Sequence, residues 1–239
     1  MLLSIGADSK TVKGNDVGSG YMTGILYLTQ SEILCRNAAN AGCLIPCLYD
    51  TGLATVFPSI KNARENKTDY FFNDRNGFMQ DLDWSIGSLV RKAKRHHKTP
   101  VVRLSGTGDN VWETIPFVDS NGIFWSSIIH KWDYITFMDY TKMARISTLD
   151  NYHLTFSYSG KKEYQKSVAR ALRLNMHIAV VFRGPAPAMF LGKPVTTDGT
   201  KHDLRFLDSK GIVALKPLGK AVDDNSGFVV DTNIIAIAS

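Results

Sequence analysis

FMQDLDWSIGSLVRKAKRHHKTPVVRLSGTGD, residues 78–109, holds a helix, a stop, a strand and a polar loop in that order. Phe78, Leu82, Ile86, Leu89, Val90 and Ala93 recur at three- and four-residue steps, the spacing of one buried helical face. Pro100 ends that helix and opens the short apolar strand Val101–Leu104, because the residue before a proline is pushed out of helical backbone. The strand then runs into Ser105-Gly106-Thr107-Gly108-Asp109, a turn rich in glycine and small polar residues. One such unit is the building block of a parallel α/β sheet.

The alternation repeats on both sides. Upstream, residues 21–29 read as a buried strand, followed by a cysteine-bearing loop and two helical stretches. Downstream come a helix around Ile123–Lys131, a strand at Tyr134–Met138, and a strand at Tyr152–Phe156. A helix near Lys161–Arg173 follows, then strands at Met176–Phe182 and Gly211–Leu215. These spacings predict an α/β protein with a mostly parallel sheet, built as a partial or complete β/α (TIM-like) barrel. A doubly wound open sheet is the alternative. Residues 1–239 read as a single domain, with the cysteine loop at 30–50 after the first barrel strand.

Composition narrows the class further. The chain carries 28 Lys+Arg against 22 Asp+Glu, a net charge of +6. The excess is scattered except for Arg91-Lys92-Ala93-Lys94-Arg95-His96-His97-Lys98. Cations at the end of a helix favour its dipole, so this run reads as a solvated helix end or as a contact for nucleic acid. No apolar stretch is long enough to span a bilayer, and the opening turns polar after five residues. A soluble, cytoplasmic protein without membrane contact is expected.

All three cysteines fall within residues 35–47, as Cys35-x7-Cys43-x3-Cys47. A disulfide scaffold spreads its cysteines through the chain and usually has an even number. Thiolates clustered on one loop are soft ligands, suited to zinc, copper(I) or an iron–sulfur cluster. Structural zinc asks for pairs two to four residues apart and a fourth donor, and only the second gap comes close. A 4Fe–4S cluster held by Cys35, Cys43 and Cys47, with one iron left open, fits the spacing better. Three reduced core cysteines are the plain alternative. His96, His97, His177 and His202 are candidates for a fourth ligand.

In a parallel sheet the functional groups sit at the strand C-termini and on the loops that follow. That places Arg103, Asp109, Asp139, Lys142, Ser157 and Arg183 beside the cysteine loop. Asp109, Asp139 and Lys142 form a carboxylate–lysine set able to move protons, and so are the candidate catalytic residues. Arg103, Ser105, Gly106 and Arg183 are candidates for holding a cofactor, through backbone amides or positive charge. The implied substrate is a small molecule. An open iron can polarise a carbonyl or activate water, as in ester or thioester hydrolysis, or anchor S-adenosylmethionine. A non-catalytic redox or nucleic-acid-binding module is the competing reading.

Several motifs resemble a family of tailed-bacteriophage proteins over nearly the whole chain. They are Leu3-Ser4-Ile5-Gly6 with Lys10-Thr11-Val12-Lys13-Gly14, Thr23–Leu28, Gly42-Cys43, Cys47-Leu48 and Val102–Asp109 with Trp112-Glu113. Asp139–Lys142, Asn151–Ser157, Asp203–Asp208 and Ser226–Val229 continue the likeness. Where that family carries proline and serine between its first two cysteines, this chain has Arg36 and Ala39 nearby, and all three thiols stay in place. The resemblance implies a viral origin and action in the bacterial host cytoplasm, and no particular reaction. The placing of the loop after the first strand also resembles radical S-adenosylmethionine enzymes. Their spacing is C-x3-C-x2-C, from which this chain departs at both gaps.

Overall fold

The computed structural model describes residues 1–6, 12, 20–47 and 57–232. In chain order the strands and helices are β1 (Ser4–Ile5), β2 (Tyr21–Tyr27), α1 (Ala38–Ala41), α2 (Pro58–Asn73), α3 (Arg75–Arg95) and β3 (Thr99–Thr107). Then come β4 (Phe117–Val118), β5 (Phe124–Trp125), α4 (Ile128–Lys131), β6 (Thr136–Thr141), β7 (Tyr152–Ser157) and α5 (Gln165–Arg173). The chain continues through β8 (His177–Arg183), β9 (Met189–Phe190), β10 (Lys193–Asp198), β11 (Ile212–Leu215) and β12 (Val230–Asp231).

The main sheet runs β1-β2-β3-β6-β7-β8-β11-β10-β9, with β12 continuing on β8. All neighbours from β2 to β11 in that order pair parallel. The order of these six strands follows the chain without reversing. A doubly wound sheet reverses at a switch point, where its ligand binds; this one does not within the six strands. Among the described residues no pairing joins β1 to β9, so the structure shows a mostly parallel sheet and no closure into a barrel there.

Strands buried on both faces need apolar residues at nearly every position, and Tyr21–Tyr27 is buried throughout its middle. On one face α3 covers the sheet with Phe78, Leu82, Ile86, Leu89 and Ala93, all fully buried, as the helical spacing predicts. They pack with Leu26, Val102, Leu104 and Phe137 into a first core. A second core gathers Phe156, Tyr164, Val168, Ile178, Val180 and Ile212 under α5. The opposite face carries a smaller group, Val101, Met138 and Leu204, with Tyr21 and Phe206 against it.

The boundaries differ from the sequence reading in instructive ways. Helix α3 stops at Arg95, and His97 takes a left-handed conformation (φ 54°) two residues before the strand starts. Pro100 therefore lies inside β3, near its beginning, where a missing N–H is tolerated. Residues 123–125 are not helical as expected: Phe117-Val118 and Phe124-Trp125 form a hairpin, and only Ile128–Lys131 is helix. Asp119 decides this, since its carboxylate accepts the backbone N–H of Asn121 and Ile123 and the Trp125 indole N–H, closing the turn at Gly122 (φ 79°).

Candidate functional site

The cysteine loop leaves β2 at the sheet's C-terminal edge, as expected, and residues 48–50 of it lie outside the described residues. Short hydrogen bonds shape it. Cys35 N–H reaches Ser31 O at 2.8 Å, Ala38 N–H reaches Cys35 O at 2.9 Å, and Cys43 N–H reaches Ala38 O at 3.1 Å. The one-turn helix α1 lies between the first two cysteines and ends at Gly42, whose φ of 69° suits glycine. A Cβ there would also stand 2.6 Å from the Lys161 side chain and 2.9 Å from Ser226 Oγ.

The loop is tied to several strand ends at once. Asp109 N–H, just past β3, donates to Leu34 O at 2.8 Å. Asn37 Nδ2 donates to Lys142 O, past β6, at 3.2 Å. Lys161 Nζ reaches Ala39 O at 3.4 Å and Ser226 Oγ reaches Gly42 O at 3.3 Å. Asp109 Oδ2 in turn accepts Lys142 N–H at 2.6 Å, and Tyr164 OH donates to Lys142 O at 2.6 Å. Lys142 Nζ donates to the carbonyls of Ser157 (3.1 Å) and Tyr158 (3.3 Å) and lies 4.4 Å from the Phe228 ring centre.

The charges of this region act on one another. The three sulfurs are partly buried and form no disulfide. Burial pushes the Cys35 thiol up to about 12, and the neighbouring Cys47 and Cys43 charges push the same way. Burial likewise raises Cys43, while the Lys142 ammonium pulls it down. Burial lowers Lys142 to about 8 despite the opposing pull of Cys43, Asp109 and Cys47. Asp109 is raised by burial and held back by its bond from Lys142 N–H. Among the described residues, no three side chains of His, Cys, Asp or Glu converge as a ready ligand set. Cys35 and Cys43, whose thiols burial raises, pack against apolar surroundings: Cys35 borders the first core and Cys43 the second.

Of the sequence candidates, the structure thus brings Asp109 and Lys142 to the cysteine loop. Asp139 sits apart. It is 4% exposed, accepting Ser105 N–H at 2.6 Å and Tyr152 OH at 2.8 Å, and burial raises it to about 7. Ser105 is bound into the same network, with its Oγ accepting the Trp112 indole N–H at 2.9 Å. Gly106 serves the backbone: an added Cβ would stand 2.6 Å from Ile25 Cγ2 and 2.7 Å from Leu26 O, where the β2–β3 register shifts. Arg103 pairs with Asp203 at 2.7 Å and lies over the Tyr140 ring. Arg183 holds the C-terminal segment, through Val222 O (3.0 Å), Asp224 O and Asp231 (3.1 Å).

Asn37, Tyr164 and Phe228 are site residues that sequence reasoning missed. Asn37 carried a signal, a polar side chain inside the cysteine loop itself. Tyr164 falls inside the helix expected near Lys161–Arg173, and its hydroxyl role is invisible in spacing. The stretch 91–98 forms the largely exposed end of α3 and the turn after it. No helix among the described residues is long and apolar enough to cross a membrane.

No curated protein and no solved structure matches the chain. The model of the family described as Gene product 88 matches residues 1–232. That agrees with the likeness to tailed-bacteriophage proteins and carries nothing of the likeness to radical S-adenosylmethionine enzymes. With the match running over all but the last seven positions, the chain belongs to the Gene product 88 family.

Proposed function

We propose that this chain is a phage-encoded iron–sulfur protein acting on a small molecule in the host bacterial cytoplasm. Cys35, Cys43 and Cys47 would hold a 4Fe–4S cluster at the C-terminal edge of a partial β/α barrel. The observation that carries the reading is the presence of three thiols on one loop beside the buried cation Lys142, which interacts with the Cys43 and Cys47 charges. Soft donors and a charge-balancing ammonium suit such a group, because hydrogen bonding and charge around the sulfurs tune a cluster. The loop does not present three converging donors beforehand, so ligation on this reading includes a rearrangement of residues 35–47.

When bound through three cysteines, such a cluster supplies an iron open to a substrate oxygen or to S-adenosylmethionine. The chain's own groups then divide the remaining work. Lys142, lowered to about 8, gains and loses a proton near neutral pH and is the group suited to proton transfer. Asp109 is a positioning residue: its carboxylate fixes the Lys142 backbone while its own N–H fixes Leu34 beside Cys35. Asp139, committed to Ser105 and Tyr152, takes no part.

The test is anaerobic purification of the wild type and Cys43→Ala, with iron, sulfide and zinc analysis and a visible spectrum. Thiolate-to-iron absorbance with matching iron and sulfide, lost in the variant, is the expected result. Stoichiometric zinc in a colourless protein would move the reading to a structural site. A protein still colourless and metal-free after anaerobic reconstitution would end it. With the cluster in hand, reductive cleavage of added S-adenosylmethionine separates radical chemistry from hydrolysis of an ester or thioester without it.

A further inference from the structure

The exposed side of α3 carries a pattern that the cysteine site does not use. Trp84, Ser88, Arg91 and Arg95 are spaced four, three and four residues apart, which lines them along one helical stripe. Lys94 flanks it. The stripe is about 16 Å long from the helical rise per residue. A depression in it is lined by Ser88, Arg91, Lys94 and Arg95. Gly87, buried beside it, lets side chains pack close: where its Cβ would stand, the Arg91 guanidinium lies 3.3 Å away and the Trp132 ring 3.6 Å away.

Aromatic rings frame these cations. Trp84 is 59% exposed and Tyr134 69% exposed, although both are large hydrophobic side chains on an otherwise well-packed protein. Tyr134 is not loose, for its ring leans on Trp132 with centres 5.7 Å apart. Trp132 is itself pinned by an indole N–H bond to Asp83 at 2.9 Å. Asp83 also pairs with Lys131 at 2.9 Å, a cation that it shares with Asp119 (2.6 Å). Among the described residues no carboxylate pairs with Arg91, Lys94 or Arg95. Asp133 beside Tyr134 and Asp81 beside Tyr70 are the acidic groups at the margins.

Unbalanced cations alone would suit any polyanion. Exposed rings beside them discriminate, because a duplex hides the faces of its bases while an unpaired strand offers them for stacking. We propose that this face binds single-stranded nucleic acid, with Arg91, Lys94 and Arg95 holding phosphates and Trp84 and Tyr134 stacking on bases. The inference is independent of any metal at the cysteine loop.

The test is fluorescence anisotropy of the full chain with labelled oligothymidylate and oligouridylate over a salt series. A duplex of equal length and vesicles of anionic phospholipid serve as competitors. Expected are preference for a single strand over duplex and vesicle, and quenching of tryptophan emission on binding; a preference between the two oligomers names the strand. Trp84→Ala weakens binding about tenfold, the loss of one stacked base, and Trp84→Phe restores most of it. Arg91→Glu with Lys94→Glu lowers the slope of log affinity against log salt by about 1.4, the share of two phosphate contacts on a single strand. Trp84 is exposed, so circular dichroism should be unchanged in its variants. Equal affinity for duplex together with an inert Trp84→Ala, preferential capture by the vesicles, or no binding at low salt would each overturn the proposal.

Discussion

Replacing Asp139 with Asn should remove one component of the pH dependence of stability, and its size can be worked out beforehand. Burial is the dominant cause that lifts this carboxyl from 3.8 to about 7, against the opposing bond from Ser105 N–H and the Arg103 charge. The folded protein therefore holds the Asp139 proton more tightly than the unfolded chain does. Below 3.8 both states are protonated and the group contributes no difference. Between 3.8 and about 7 the unfolded chain has lost the proton while the folded protein keeps it, so stability falls as pH rises through that window. At about 1.4 kcal/mol for each pH unit, the loss amounts to about 4 kcal/mol by about pH 8.

The asparagine that replaces Asp139 has no such proton to hold, and its amide can still accept from Ser105 N–H and face the Tyr152 hydroxyl. Urea unfolding of both proteins from acid to mildly alkaline pH is the assay. The stability of Asp139→Asn relative to wild type should climb by about 4 kcal/mol across the window, which moves the urea midpoint by more than about 1 M. Tyr152→Phe sharpens the test, because it removes a donor to the ionised carboxylate and should carry the inflection to higher pH. A relative stability that stays flat with pH would refute the reasoning, showing that Asp139 ionises in the fold as readily as in the open chain.

Two further substitutions probe other joints of the structure. Gly106→Ala places a methyl group against Ile25, Leu26 O and Tyr27, one of them rigid backbone, and should cost about 1–3 kcal/mol. A thermal melt checks it: an unchanged melting temperature would mean that β2 and β3 part more easily than their register implies. Lys142→Met removes the cation that pulls the Cys43 thiol down, so alkylation of Cys43, measured with Cys35 and Cys47 replaced by Ser, should slow. An unaltered rate would separate Lys142 from the cysteine loop.

The six parallel strands were legible because each is a short apolar run bounded by polar residues, and burial on both faces demands that pattern. β10 was not, since Lys193–Asp198 is polar, holds Pro194 and alternates between partly buried and exposed positions. The hairpin at 117–125 was missed for a related reason. Its fold is set by one carboxylate, Asp119, accepting three donors, and no periodicity records that. At the site, placing residues at strand ends found Asp109 and Lys142 but could not tell which way each side chain turns. Asp139 lies within β6, where successive side chains alternate between faces, while Lys142 lies one residue past the strand's end, where that alternation no longer fixes its direction. Asp139 meets Tyr152 and Ser105 in the first core's neighbourhood, while Lys142 turns to the carbonyls past β7. Arg103, a candidate for holding a cofactor, pairs with Asp203, and no local pattern could have pointed to a partner a hundred residues on.

The position of the cysteine loop has a consequence for whatever it holds. Cys35 packs against the core under α3, and Cys43 against the core under α5. Between them the loop is bonded to residues past β3 and β6 and to Lys161 and Ser226. A group bound by all three sulfurs would thus add a link between two cores that already share Leu154 on β7. Binding to the folded state alone raises stability with the logarithm of occupancy. Because both cores share the site, that gain belongs to the whole sheet and raises one unfolding transition. A centre confined to a peripheral loop would instead leave the main transition where it was.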